Sequence, residues 1–254
     1  MSEQINISNL TVGYNNNELL SDVNISTNAN QLIAIIGRNG TGKSTLLKTL
    51  AGMLPAISGN FKLAEQDVLS LPETNRSKLL SLVTTKPKSV SNITVKDFVS
   101  FGRYPYTNWL GISKNDDNAA IDDAISLCNI NELTNRNYET LSDGEKQRVN
   151  IARAIAQNTP LIVLDEPTAH LDLVNKIEVF KLLKTLTQEH NKTIIFSSHQ
   201  IEYTLQVCDE IWLINEQKVN HYSPTQLIET DLLNKIINSK NIVFDKTSKA
   251  FKLL

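Results

Sequence analysis

The chain opens on alternating polar and apolar positions. Ile5 and Ile7 sit among polar neighbours, Val12 and Tyr14 follow after Leu10, and residues 18–25 mix both classes, so the first stretch is predicted to be strands. Residues 32–36 (Leu-Ile-Ala-Ile-Ile) are instead a continuous apolar run, the pattern of a strand buried on both faces. A glycine-rich turn over residues 37–42 ends that run, and a helix is predicted to start near Lys43. The Ser-Gly-Asn punctuation at residues 58–60 predicts another turn, and residues 79–84 a further buried strand.

From about residue 87 to 138 the texture changes. Thr94, with Asp97 three positions on, predicts a helix start, and Ala119, Ile121, Ala124, Ile125 and Cys128 recur at helical spacing over residues 115–128. Between them lies a segment rich in turn formers and aromatics: Phe101, Gly102, Arg103, Tyr104, Pro105, Tyr106 and Trp109. This middle part is predicted to be a helical insertion. Alternation then resumes, with strands at Leu161–Leu164, Thr193–Ser197 and residues 210–214 and helices at residues 173–189 and Ile201–Val207. Strands alternating with helices imply an α/β fold, a mostly parallel sheet with helices on both faces. After Asn215 the signal weakens to short elements, with a small hairpin predicted over residues 242–253.

At 254 residues and 41% hydrophobic the chain is long enough and apolar enough to bury a substantial core. Lys and Arg total 25 against 27 Asp and Glu, which argues against a nucleic-acid partner. No run of 18 apolar residues is present and the first residues do not resemble a secretory signal, so a spanning helix and secretion are not expected. Two cysteines, Cys128 and Cys208, form no metal or disulfide spacing and fit a reducing cytosol.

Three motifs carry chemistry. Gly37-Arg38-Asn39-Gly40-Thr41-Gly42-Lys43-Ser44 fits the phosphate-binding loop G-x-x-x-x-G-K-S/T, placed between a buried strand and a helix as that mechanism requires. Its glycines let backbone N–H groups turn toward phosphate oxygens, Lys43 reaches the terminal phosphates, and Ser44 is the Mg²⁺ hydroxyl. Leu161–Leu164 runs into Asp165 and Glu166, which places a Mg²⁺-orienting carboxylate and a water-polarising one at the end of a buried strand. Leu141-Ser142-Asp143-Gly144-Glu145 opens a helix through a capping box between Ser142 and Glu145, and Gly144 permits close approach to an anion at that N-terminus. His170, His190 and His221 share no metal spacing and read as surface residues, and Cys128 reads as core. Tyr104, Tyr106 and Trp109 read equally as packing or as a partner contact.

These motifs, with His199 and Leu171-Asp172 in the D-loop position, resemble the ATP-binding-cassette ATPases over roughly residues 3–235. The resemblance implies a P-loop NTPase core with an N-terminal antiparallel β-subdomain and an inserted helical subdomain. That is one cassette over residues 1–254, with residues 87–156 as the insertion bearing the signature motif. It implies a head-to-tail homodimer closing over two ATP molecules. Each ATP would be held by Gly37, Asn39, Gly40, Gly42, Lys43, Ser44 and Thr45 of one chain and by Ser142 and Gly144 of the other, with Tyr14 stacking on adenine. Glu166 would be the general base, His199 the γ-phosphate contact, and Ser44 with Asp165 the Mg²⁺ ligands. Where most members carry a glutamine before the insertion this chain has Thr85, whose shorter hydroxyl would reach Mg²⁺ through a bridging water.

Shared motifs leave two classes open: a transporter motor docking on a separate membrane permease, and a cassette ATPase of iron–sulfur assembly or repair type working without transport. Residues 99–106 resemble the matching segment of importer ATPases for iron chelates, the siderophore, haem and cobalamin group. That implies a peripheral subunit on the cytoplasmic face of the membrane, with a substrate-binding protein as an indirect partner.

Overall fold

The computed structural model describes residues 3–15, 17–85, 91–107, 115–237 and 241–254, and the chain divides into two units, Met1–Leu71 with Thr193–Leu254, and Pro72–Lys192. The first unit begins with an antiparallel hairpin, β1 (Glu3–Tyr14) and β2 (Asn17–Asn28), joined to β3 (Leu32–Gly37) and α1 (Lys43–Leu50). Leu20, Val23 and Ile25 of β2 are buried while alternate positions face solvent, as the alternation predicts. β4 (Ser58–Leu63) pairs antiparallel with β1, and the two-residue β5 (Gln66–Asp67) pairs with β4.

Residues 58–60 are therefore not a turn. They start β4, and Gly59 is there because a Cβ would meet the Asn9 carbonyl oxygen at 2.3 Å. Turn-forming composition at that position records a close crossing of β1, where the register slips between Ser8 and Thr11. Gln66 of β5 pairs with Leu63 and is exposed.

The second unit comprises α2 (Glu73–Arg76), β6 (Leu80–Val83), α3 (Val95–Ser100), a 3₁₀ turn at Phe101–Tyr106, α4 (Asn115–Leu127), α5 (Asp143–Ala156), β7 (Leu161–Leu164) and α6 (Leu173–Gln188). β6 and β7 pair in parallel, Leu80 with Leu161 through Val83 with Leu164. The capping boxes predicted at Thr94/Asp97 and Ser142/Glu145 are both present. α3, α4 and α5 close on Val95, Phe98, Val99, Ile121, Ala124 and Ile125, and Phe98 stacks on Tyr138 at 4.3 Å between centroids. The buried Tyr138 hydroxyl accepts from Asn150 Nδ2, so burial leaves it partnered. Cys128 and Cys208 are both buried and unbridged.

The chain then returns to the first unit through β8 (Thr193–Ser197), α7 (Ile201–Val207), β9 (Glu210–Asn215) and β10 (Lys218–Tyr222). β3 lies between β8 and β9, parallel to both, and β10 is antiparallel to β9, so the sheet is mixed. β3 and β8 are buried along their apolar runs, as two-sided coverage demands. The tail folds as α8 (Pro224–Glu229), α9 (Leu232–Ile237) and the predicted hairpin, β11 (Ile242–Asp245) with β12 (Ala250–Leu253). Among the described residues no helix is long and apolar enough to cross a membrane.

Candidate active site

The phosphate loop occupies the carboxyl end of β3. Gly40 and Gly42 take left-handed backbone (φ 79° and 103°), which a side chain would strain, and Gly42 is the N-cap of α1. No side chain caps α1 and its first turn holds no acid, so the helix presents its N-terminal dipole without a carboxylate of its own in place. Lys43 is buried, and its ammonium donates to the carbonyls of Gly37 (2.9 Å) and Arg38 (3.1 Å), which holds the side chain over the loop. Thr45 is buried, Ser44 half-buried, and Asn39 and Gly40 are exposed. The loop suits a polyphosphate: donors and positive charge converge where a strand ends and a helix begins.

The β1–β2 hairpin braces this loop. A Cβ on Gly42 would lie 3.2 Å from Leu20 Cγ, so β2 packs directly on the α1 cap. Tyr14, half-exposed, stands at the end of the same hairpin opposite Asn17. His199 follows β8, and the Ser198 N–H donates to Ile35 O, extending the β3–β8 ladder. The parallel pairing brings His199 out at the same carboxyl end as the phosphate loop. His199 is exposed and borders a groove of about 350 Å³ with α7, Ile237 and Phe251.

In the second unit β7 delivers Asp165, which is buried, and Glu166, half-buried. Glu166 has φ 51° immediately before Pro167, a left-handed conformation that is costly for a side-chain-bearing residue and disfavoured before proline. Strain of this kind, of order 1–3 kcal/mol, persists where neighbours over-determine the backbone. Here they do: Asp165 N donates to Val83 O (2.8 Å) and Ala169 N to Glu166 O (3.1 Å), and Thr85 Oγ1 donates to Asp165 O (3.0 Å).

The helix opened by the signature segment is α5. Ser142 accepts from Glu145 N while the Glu145 carboxylate accepts from Ser142 N (2.8 Å). The Ser142 N–H, above all, holds the Glu145 carboxyl below the ordinary range, against a smaller opposing effect of burial; Arg136 at 3.2 Å adds to the lowering. A lowered folded-state pKa means the cap is fully formed at neutral pH and is lost as pH falls through that lowered value. Gly144 is buried against α6: a Cβ would lie 2.7–2.9 Å from the Asn175 amide. That amide is fixed in turn by Asp172, the N-cap of α6, which accepts from Asn175 N and Nδ2.

Against this geometry, the ABC transporter family profile matches residues 20–169, more than half the chain. The chain belongs to the ABC transporter family. It is an ATP-binding, ATP-hydrolysing cassette. It is 34% identical over 230 residues to the achromobactin transport ATP-binding protein of Dickeya dadantii, covering 90% of this chain and 86% of that one. It is 30% identical over 243 residues to the iron(3+)-hydroxamate import ATP-binding protein of Bacillus subtilis, covering 94% and 90%. Among solved structures it superposes, at TM-score 0.82 and 28% identity, on an ABC transporter assigned to the metal-chelate type in an inward-facing conformation, covering 99% of this chain and 96% of the other.

Three features of this ABC ATPase lie beyond its motifs. Asn175 fills the space that Gly144 leaves, Leu20 seats the phosphate loop, and Arg103 turns inward. Arg103 Nε pairs with Asp117 at 2.8 Å, Nη1 donates to Ala156 O, and the Tyr106 ring covers the guanidinium at 4.0 Å. Tyr106 is thereby packing, while Tyr104 is 64% exposed. Trp109 lies outside the described residues.

Proposed function

We propose that this ATPase powers the import of a metal chelate, iron complexes foremost, as a peripheral subunit docked on a separate permease at the cytoplasmic face of a membrane. The names of the two relatives, achromobactin transport and iron(3+)-hydroxamate import, support this substrate class over nearly the whole chain. The observation that carries the catalytic half is the phosphate loop: an α1 N-terminus without a side-chain cap, with the Lys43 ammonium folded over it. Residues 87–156 are the inserted helical subdomain in this reading. Two copies act head to tail, each phosphate loop facing Ser142 and Gly144 of the second copy.

Within that site Tyr14 stacks on adenine and the N–H groups from Asn39 to Thr45 hold the phosphates. Lys43 neutralises charge developing on the terminal phosphates, Glu166 accepts a proton from the attacking water, and His199 contacts the γ-phosphate. Ser44 and Asp165 are the Mg²⁺ ligands, a hydroxyl and a carboxylate, the hard oxygen donors that this ion selects. Mg²⁺, when bound, supplies charge neutralisation on the phosphates.

Lys43→Ala is expected to weaken ATP binding about tenfold or more, since a charge-assisted hydrogen bond contributes ~1.5–3 kcal/mol, and fluorescent-nucleotide titration reads it. Unchanged affinity would remove Lys43 from the site. Uptake of labelled iron chelates, haem and cobalamin by cells lacking the gene tests the substrate class, and normal uptake of all three with no redundant importer would sink it. Tyr104, exposed on the 3₁₀ turn, is the permease contact in this reading. Tyr104→Ala is therefore expected to cut uptake several-fold with basal ATPase nearly intact, and uptake at the normal rate would remove it from that surface.

A further inference from the structure

The residue that departs from the family's pattern has a visible job in this fold. β6 carries its alternate carbonyls in two directions. The carbonyls of Leu79, just before the strand, and of Val83 accept from Leu161 N and Asp165 N of the β7 segment. Those of Leu80 and Leu82 face the opposite edge, where Gln157 Nε2 (3.0 Å) and Arg153 Nη2 (3.0 Å) of the α5 segment donate to them. Gln157 Nε2 also donates to Ser77 O (2.6 Å), just before the strand. Both edges of β6 are thus occupied, and the strand is held from two sides up to Val83. Two residues on, Thr85 continues the ladder with a side chain: its hydroxyl donates to Asp165 O at 3.0 Å. That carbonyl belongs to the peptide joining Asp165 to Glu166. The Asp165 backbone is consequently fixed at both ends, its N–H by Val83 and its C=O by Thr85, immediately before the left-handed Glu166.

We infer that Thr85 is a positioning residue, whose hydroxyl holds the Asp165–Glu166 peptide and so aims the Glu166 carboxylate, rather than a group that ligates Mg²⁺. The inference rests on the proposed role of Glu166 as base. Its physical content is preorganisation. A carboxylate on a strained residue has other backbone orientations within reach, and the hydrogen bond to the preceding carbonyl joins those of Val83 and Ala169 in restricting them. A ligand and a positioner differ in what they change: losing a ligand raises the metal requirement, whereas losing a positioner lowers the rate at saturating metal and ATP.

The test is steady-state ATPase of the full chain carrying Thr85→Val, Thr85→Ser or Thr85→Ala. Thr85→Val is expected to lower kcat about tenfold, with KM for ATP and the Mg²⁺ concentration for half-maximal rate unchanged within about twofold. Thr85→Ser is expected to regain most of the rate. With radiolabelled ATP, Thr85→Val added to Glu166→Gln should cause no further loss, because the group it aims no longer acts as a base. Wild-type kcat in Thr85→Val, a raised Mg²⁺ requirement, or a full additional loss in the Glu166→Gln background would each overturn the inference. Should Thr85→Val fail to fold by thermal melting, the Thr85→Ser and Thr85→Ala pair carries the comparison, and equal rates in those two overturn it. Wild-type turnover in Glu166→Gln alone would overturn the assignment of the base. A slow Glu166→Gln beside a normal Thr85→Val would leave that assignment standing and remove only the role of Thr85.

Discussion

Glu166→Gln is expected to retain ATP binding while turnover falls by about a hundredfold or more, the usual range for losing a positioned general base. The substitution keeps the shape and both heavy-atom positions of the side-chain head and removes the proton-accepting capacity that the proposed role as base requires. Backbone geometry at this position is set by neighbours, Thr85 and Val83 on Asp165 and Ala169 on Glu166, so the amide occupies the place of the carboxylate with little rearrangement. Nucleotide held without hydrolysis should also accumulate the closed pair of chains, visible as an ATP-dependent shift on size-exclusion chromatography. Phosphate release and nucleotide titration on the same sample separate the two effects, and wild-type turnover would move the base elsewhere.

The largest expected effect on stability is at Asp117. Its side chain is 3% exposed and pairs at 2.8 Å with Arg103, itself 11% exposed, beneath the Tyr106 ring. Asp117→Ala leaves the guanidinium in place with its counter-charge removed, and breaking a buried pair from one side costs about 3–5 kcal/mol. Asp122 on the same helix provides the control. It pairs with Lys96 at the same 2.8 Å, but the two are 61% and 49% exposed, so Asp122→Ala should cost under about 1 kcal/mol. Urea unfolding of both variants measures the difference, and equal midpoints would show that the Arg103–Asp117 pair contributes no more than a solvated one.

Much of this architecture is legible along the chain because the signals involved are local. Continuous apolar runs announce β3, β7 and β8, and the boxes at Thr94 and Ser142 announce α3 and α5 within a residue, since a cap is formed by positions three apart. The residues that escape such reading answer to distant partners. The start of β4 looks like a turn because Gly59 yields to the Asn9 carbonyl some fifty positions earlier. Arg103 sits among aromatics that suggest a surface, yet its partners come from α4 and α5. Gly144 shows in sequence as a permissive residue beside a helix N-terminus, and only the fold reveals the Asn175 amide against it. Thr85 is visible from sequence as a departure from the family's glutamine; its bond to Asp165, 80 positions away, is not.

The burial of both thiols has a practical side. Cys128 is buried in the turn just after α4, where burial pushes its thiol well above the ordinary range, and Cys208 is 7% exposed after α7. Both thiols are buried, out of easy reach of a maleimide. A single cysteine placed at an exposed position such as Tyr104 would then be the one site that takes a fluorophore or nitroxide. Distances between two labelled copies would become readable through a catalytic cycle without first stripping the chain of its native sulfur.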